Sequence, residues 1–530
     1  MADACKREIF SKDYANRGID SSKQGVIAVP TDVNQQQARR AAIQLSKEQF
    51  RSMGHQLVDQ IAELLESLPS RPVTPAHEPS VIKAKLGSPR PLPMDGTDPK
   101  LLLERTASLL IDNSLYNGHP GFWGYVTAGA APIGILADFL ASAVNPNCGA
   151  WKLAPVATEM EMQSIQWVAE LIGYPSECGG VMVSGGNMAN FVGFLSARVA
   201  KADWDIRTKG LSSPTARKMI VYCSSETHTW VQKAADLFGL GTDSVRWIPT
   251  DKKYRMDTTA LRTQIESDRS FGLKPFLVVG NAGTVSTGAV DPMYEIASIC
   301  SKYDLWFHVD GAYGGFAAKV NGVPTDLKGI SEADSLAVDP HKWLYMPLEA
   351  GCALVKNPET MTNAFSYHPP YYHFDPERTN FVDYGMQNSR GFRALKIWLA
   401  LQQVGRSGYL KMIEQDIQLS AEMFKSAQQQ PELETFTQAL SIATFRFVPA
   451  DLRDKVGDPK VEEYLNKLNE ETMLGVERTG KAFVSHAILN GKFVLRACIV
   501  NFRTSQADVH QFPELVCRVG RETDKAIRTI

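Results

Sequence analysis

Three short stretches of this 530-residue chain bring together residue types whose chemistries complement one another. Ser184-Gly185-Gly186-Asn187 lies between an apolar run, Val181 to Val183, and a helical pattern from Met188 to Val199. Adjacent glycines let a backbone approach an anion, a helix start offers N–H groups without partners, and Asn187 adds a side-chain donor, so the stretch reads as a phosphate cup or as a plain tight turn. No Gly-Lys-Ser/Thr follows and the dinucleotide spacing is missing, which disfavours ATP and dinucleotides. In His308-Val309-Asp310-Gly311-Ala312-Tyr313, an acid closes an apolar strand and small residues leave room for a flat ring. Such a carboxylate needs a cationic or N–H partner; a protonated ring nitrogen would serve, as would an arginine or a capped turn. Asp339-Pro340-His341-Lys342-Trp343 supplies a lysine directly after another apolar run. An amine in apolar surroundings is available as a nucleophile toward an aldehyde, whereas a surface lysine would merely snorkel. His228, in Glu226-Thr227-His228-Thr229, offers an imidazole that could lie flat on a ring.

A phosphate cup, an acid for a ring nitrogen and an amine, in that chain order, together match pyridoxal 5′-phosphate. The elements that must hold them alternate as an α/β layer fold does. Six candidate strands fall at Val181–Val183, Met219–Cys223, Phe276–Val279, Leu305–Val309, Ser335–Val338 and Ala353–Val355, with helical patterns between them. The candidate residues follow the carboxyl ends of these strands, where open α/β sheets collect ligands. Residues 1–40 read as a polar tail. Residues 41–125 read as an N-terminal helical segment for dimerisation, in which Met53, Leu57, Ile61, Leu64, Leu65 and Leu68 form one apolar face. Residues 126–425 form a large cofactor-binding domain and 426–530 a small α+β domain, where Ala443, Phe445 and Phe447, then Phe493, Leu495 and Ala497, alternate.

The 56 Lys and Arg residues against 58 Asp and Glu leave a net charge of −2, which gives no electrostatic draw toward nucleic acid or an anionic membrane. No apolar run approaches the ~18 residues of a membrane span. The eight cysteines are scattered without C-x-x-C or zinc spacing, so no metal site is expected, and reduced thiols fit a cytoplasmic protein.

With these motifs on the page, the sequence resembles the group II pyridoxal-phosphate-dependent amino-acid decarboxylases, from about Leu45 to the end. The resemblance rests on His119-Pro120-Gly121-Phe122, on Ala154-Pro155-Val156-Ala157-Thr158-Glu159-Met160-Glu161, on the three motifs above with the His228 turn, and on Phe493-Val494-Leu495-Arg496. It implies fold type I, with a mostly parallel seven-stranded sheet, and a homodimer with shared active sites. It further implies that Lys342 holds the cofactor as an imine, that Asp310 pairs with the ring nitrogen, and that His228 stacks on the ring above Ala312. Gly185, Gly186, Asn187 and His341 would hold the phosphate, with Thr284 near the ring. Asp339 stands where several relatives have Asn. A mobile-loop tyrosine reprotonates the substrate carbon in the family, and ungapped counting places Tyr371 there; relatives with Phe at this place form aldehydes with oxygen.

An aromatic substrate (tyrosine, dopa, tryptophan or phenylalanine) is expected because Trp123, Tyr125 and Trp151 match pocket positions of aromatic relatives. Gly149 falls where some relatives place a bulky aromatic, which suggests a roomier pocket, while Ser389 stands where plant relatives carry Ser for phenolic substrates and Gly for indolic ones. The alternatives are decarboxylation of an acidic or aliphatic amino acid such as glutamate or 2,4-diaminobutyrate, an aminotransferase, and a catalytically silent dimer of the same fold.

Overall fold

The computed structural model describes residues 41–87, 91–370, 375 and 377–528. Chain contacts divide it into residues 1–58 and residues 59–530. In the first unit, described from residue 41, the chain enters the helix Lys47–Ser67, none of whose residues is buried.

The second unit contains two sheets. The first strand, β1 (Phe122–Trp123), is followed by the seven strands of the large sheet: β2 (Gly179–Val183), β3 (Met219–Ser224), β4 (Val245–Ile248), β5 (Lys274–Asn281), β6 (Trp306–Asp310), β7 (Ser335–Val338) and β8 (Gly351–Val355). Their spatial order is β2-β8-β7-β6-β5-β3-β4. Pairs from β4 through β7 are parallel, and β8 is antiparallel to both neighbours, so β2 runs in the common direction. The near-continuous apolar strands are those of a sheet covered on both faces. β4 was not among the six strands read from sequence: Arg246 and Trp247 face outward on the edge, and four residues carry too little alternation to announce a strand.

The four remaining strands, β9 (Leu433–Ala439), β10 (Ile442–Phe447), β11 (Phe483–Leu489) and β12 (Lys492–Cys498), form the second sheet with β1, in the order β1-β11-β12-β10-β9. Phe122 pairs with Phe483 in parallel, so this dipeptide of the expected N-terminal segment belongs structurally to the small C-terminal layer. Helices begin where proline can take the first helical position, at Pro132, Pro155 and Pro340. The helix Pro155–Ile172 ends on Gly173 in the left-handed conformation, and the long helix Ala394–Gln428 packs against Pro132–Val144, Pro155–Ile172 and the second sheet. Among the described residues, no helix is long and apolar enough to cross a membrane, and no cluster of three or more His, Cys, Asp or Glu residues is placed to hold a metal.

Candidate active site

The carboxyl ends of β2, β3, β5, β6 and β7 share one edge of the large sheet, and each delivers part of the site. After β2 the chain turns at Gly185, whose φ of +101° is open to glycine but strained for other residues, and enters the helix Gly186–Lys201 without any side-chain cap on its first turn. A Cβ on Gly186 would lie 2.6 Å from Asp339 Oδ2 and 3.0 Å from the Ala312 Cβ. The second glycine is therefore needed for the β2, β6 and β7 turns to meet. β8 begins at the same edge, and Gly351 lies against the backbone of Gly185 so closely that no side chain would fit. The outcome is a helix N-terminus with free donors, walled by Asp339, Ala312 and His341.

Lys342 sits in the short helix Pro340–Trp343 after β7, its side chain one-fifth exposed. Its Nζ lies 3.2 Å from Asp339 Oδ2, while Asp339 Oδ1 is buried without a hydrogen-bond partner. Burial lowers the pKa of His341; its Nδ1 lies 2.6 Å from the Ala350 carbonyl oxygen and its Nε2 3.7 Å from Asp339 Oδ2. The turn is held from behind: Trp343 Nε1–H and Tyr345 Oη–H both donate to the buried Asp416 Oδ2, at 3.0 and 2.7 Å, and Trp343 stacks on Tyr313.

Asp310 ends β6. Its Oδ1 accepts from the Ala312 N–H at 3.1 Å and its Oδ2 from the Trp230 indole N–H at 2.7 Å. His228 follows β3 in the turn that starts the helix Trp230–Leu237 and is exposed in the single chain. Desolvation lowers its pKa, opposed by Asp310 and Asp339 and assisted by Lys342 and Lys233, which brings the imidazole within electrostatic reach of the whole cluster. Its turn is fixed by Asn281, whose amide donates to Thr227 Oγ1 at 2.9 Å and to the buried Asp291 at 2.8 Å.

Lys342, Asp310, His228, Ala312, Gly185, Gly186, Asn187 and His341 are thus gathered at one edge by separate turns. An uncapped helix start suited to a phosphate, a lysine amine and a carboxylate are the donor set that one cofactor would need. The chain belongs to the pyridoxal-dependent decarboxylases. The model of the pyridoxal-dependent decarboxylase conserved domain matches residues 87–447. An aromatic-L-amino-acid decarboxylase of Bacillus atrophaeus is 34% identical over 475 residues, 88% of this chain and 95% of that protein. A phenylacetaldehyde synthase of Arabidopsis thaliana is 29% identical over 468 residues, 86% of this chain and 92% of that protein. Among solved structures, Oryza sativa TDC with pyridoxal phosphate and tryptamine superposes with a TM-score of 0.82 at 27% identity, covering 90% of this chain and 99% of that one. The decarboxylase cofactor, pyridoxal 5′-phosphate, fits what this chain offers: a cradle that a Cβ at Gly186 would fill and the amine of Lys342.

Other expected residues of this decarboxylase lie differently. Trp123 is a core side chain of the second sheet: it is buried against Phe512, and its indole N–H donates to Thr504 Oγ1 at 3.1 Å. It borders a cavity of about 410 Å³ that Lys481, Asp508, Gln511 and Phe512 also line, and whose lining includes none of the residues gathered around Lys342. The roomier pocket expected at Gly149 is corrected. A side chain there would overlap the Asn388 carbonyl oxygen, and Val382 N–H donates to the Gly149 carbonyl at 2.9 Å, so backbone fills the space. Trp151 donates its indole N–H to Glu159 Oε1 at 2.7 Å and has the Arg378 guanidinium 3.8 Å from its ring centroid. Tyr125 is exposed, while its carbonyl accepts from Arg496 Nη1. The Thr284 hydroxyl pairs with Thr287 Oγ1 at 2.9 Å and is committed to its own loop. Ser389 is exposed beside Arg390, which is buried in an ion pair with Glu161 and also donates to the Cys148 and Met182 carbonyls. Tyr371 lies outside the described residues.

Sequence reasoning missed three supports. Trp230 was read only as a helix start, because an aromatic there carries no signal of a polar role. His308 was quoted within a motif yet proves to be a fully buried link, with Nδ1 2.7 Å from Ser335 Oγ and Nε2 2.7 Å from Asn190 Oδ1. Arg496 is buried with Nη2 unpartnered and with Nε donating to the Val285 carbonyl.

Proposed function

We propose that this decarboxylase converts an aromatic L-amino acid to its amine and CO₂, working as a cytoplasmic homodimer. The observation that carries the reaction is the convergence of Lys342, Asp310 and His228 beside the Gly185–Gly186 helix start. The similarity to an aromatic-L-amino-acid decarboxylase at 34% identity supports the substrate class.

When bound, pyridoxal 5′-phosphate supplies a protonated ring that takes up the electron pair left on Cα as CO₂ departs. Lys342 Nζ would be the point of covalent attachment. The helix start at Gly186, with Asn187 and His341, holds the phosphate. Asp310 keeps a proton on the ring nitrogen; its two oxygens, already oriented by Ala312 and Trp230, hold the carboxylate plane still. His228 would cover the ring face opposite Ala312; desolvation lowers the pKa of its imidazole, opposed by Asp310 and Asp339. Tyr371 returns a proton to Cα, and Tyr125 and Ser389 face the substrate side chain.

The second copy has a surface to meet. Leu136, Phe139, Leu140 and Val144 are exposed along one side of the helix Pro132–Val144, an apolar stripe of the kind that protein partners cover. The cytoplasmic assignment is supported by the described cysteines, all free and buried.

The decisive experiment is a panel of amino acids scored for CO₂ release by purified protein. Turnover of tyrosine, dopa, tryptophan or phenylalanine is expected, and activity confined to glutamate or 2,4-diaminobutyrate overturns the substrate class. Because a phenylacetaldehyde synthase is 29% identical, the same panel scores aldehyde and peroxide. Amine is expected from wild type and aldehyde from Tyr371→Phe; an unchanged amine yield in that variant removes Tyr371 from its role.

A further inference from the structure

Asp310 is held by an interaction that none of the sequence motifs announces. Trp230, fully buried, points its indole N–H at Asp310 Oδ2 across 2.7 Å, and its rings are wedged edge-on against His308 and Phe194, at centroid distances of 5.6 and 6.5 Å. Trp230 sits two residues beyond His228, so one turn supplies both the exposed imidazole and the donor beneath the acid. The Ala312 N–H takes the other oxygen, so each oxygen of Asp310 is anchored once and each keeps a lone pair for a further proton donor.

From this geometry we propose that Trp230 is a positioning residue for the reaction, one that holds the Asp310 carboxylate in the orientation that pairs with the cofactor's ring nitrogen and thereby keeps that nitrogen protonated. The proposal rests on the reading of Asp310 as the partner of that nitrogen. A donor aimed at a carboxylate favours its ionised form, and the charge-assisted bond is among the stronger kinds. With the indole N–H in place, the proton between Asp310 and the ring stays on the ring, where it makes the heterocycle an acceptor for the electron pair at Cα. Without it, the carboxylate is free to turn away from the ring nitrogen and the ring becomes a poorer acceptor. Trp230 touches neither substrate nor cofactor in this account and acts only through Asp310.

Two variants separate the donor from the bulk of the side chain. Trp230→Phe keeps a six-membered ring and loses the N–H. Trp230→His loses the larger ring but can present an imidazole N–H as many bonds from Cβ as the indole one. Each protein is loaded with pyridoxal 5′-phosphate carrying ¹⁵N at the ring nitrogen, and the ¹⁵N chemical shift is measured alongside kcat and KM. Trp230→Phe is expected to move the signal toward unprotonated pyridine and to lower kcat at least tenfold with KM little changed, while Trp230→His keeps the signal near wild type. A Trp230→Phe signal identical to wild type overturns the proposal. So does a Trp230→His signal that has moved to the unprotonated position, which decides the matter even if Trp230→Phe does not fold. A wild-type protein that forms no yellow adduct with the cofactor would instead defeat the reading of the site itself, and the two failures are told apart by colour.

Discussion

His308 joins the helix that starts at the glycine cup to the strand that ends at Asp310, and its burial makes that joint sensitive to acid. The ring is fully enclosed, hydrogen-bonded at Nδ1 by Ser335 and at Nε2 by Asn190, and desolvation, only partly offset by Asp310, pushes its pKa down to about 4. Unfolded, the same imidazole titrates near ~6.5, so in the window between the two values the unfolded chain binds a proton that the native chain refuses. The contribution of His308 to stability is therefore intact above the unfolded value and is lost as pH falls. The loss is about 2 kcal/mol at pH 5 and about 3 kcal/mol at pH 4. Asp291 and Asp416, which burial pushes up to about 6 and about 7, titrate with the opposite sign and would mask this in wild type alone. The difference between wild type and His308→Gln cancels them, since the amide does not titrate and can still donate to Asn190. Urea unfolding of the two proteins, followed by tryptophan fluorescence from pH 8 to pH 4.5, should show wild type losing about 2 kcal/mol of its advantage as pH falls to 5. A difference that stays flat across that range would refute the buried-neutral assignment of His308.

Lys342→Ala should remove the yellow adduct and steady turnover, and borohydride treatment of the wild-type holoenzyme should fix the cofactor on the peptide containing Lys342. Gly186→Ala places a methyl group 2.6 Å from Asp339 Oδ2, and the displaced turn should weaken cofactor binding at least tenfold, about 1.4 kcal/mol, in a fluorescence titration. Gly149→Ala forces the 382–390 segment off its backbone contacts and should cost about 1–3 kcal/mol in urea, with no gain in activity toward bulkier substrates. Asp416→Asn removes a carboxyl that is easier to bury neutral than charged. As pH rises from 4 to 8 the stability of wild type should fall relative to the variant by up to about 4 kcal/mol, read from the same unfolding curves.

The large sheet and the cofactor site were legible because both write locally. Buried parallel strands are short apolar runs, and the residues that must approach a ligand at their ends are glycine, alanine and a few polar types, all in sequence next to the run that delivers them. The helical pattern from Met188 to Val199 falls within the helix Gly186–Lys201. What failed was whatever depends on a partner far along the chain. Trp123 looks the same in sequence whether it lines the site around Lys342 or packs against Phe512, nearly four hundred residues away, and the glycine at 149 reveals nothing of Asn388. β4 failed for another reason, since an edge strand of four residues with Arg246 in an ion pair to Asp268 lacks the hydrophobic pattern that identifies its neighbours.

The same distinction explains how the site keeps its shape. Each chemically active residue stands beside, or against, a group fixed by a different element: Trp343 beside Lys342 is held by Asp416 of the long helix, Thr227 beside His228 by Asn281 of β5, Asp310 by Trp230 of the helix after β3, and Gly185 by the start of β8. The active groups are brought to the edge by the order of strands, whereas their orientation is set by buried polar contacts that cross between elements. Such contacts are costly to leave half-made, because the surviving partner stays buried without its hydrogen bond. Loss of any one anchor should therefore displace its own active residue first and leave the others in place. Asp416→Asn would then alter cofactor attachment at Lys342, and Trp230→Phe the protonation of the ring, as separable defects in one protein.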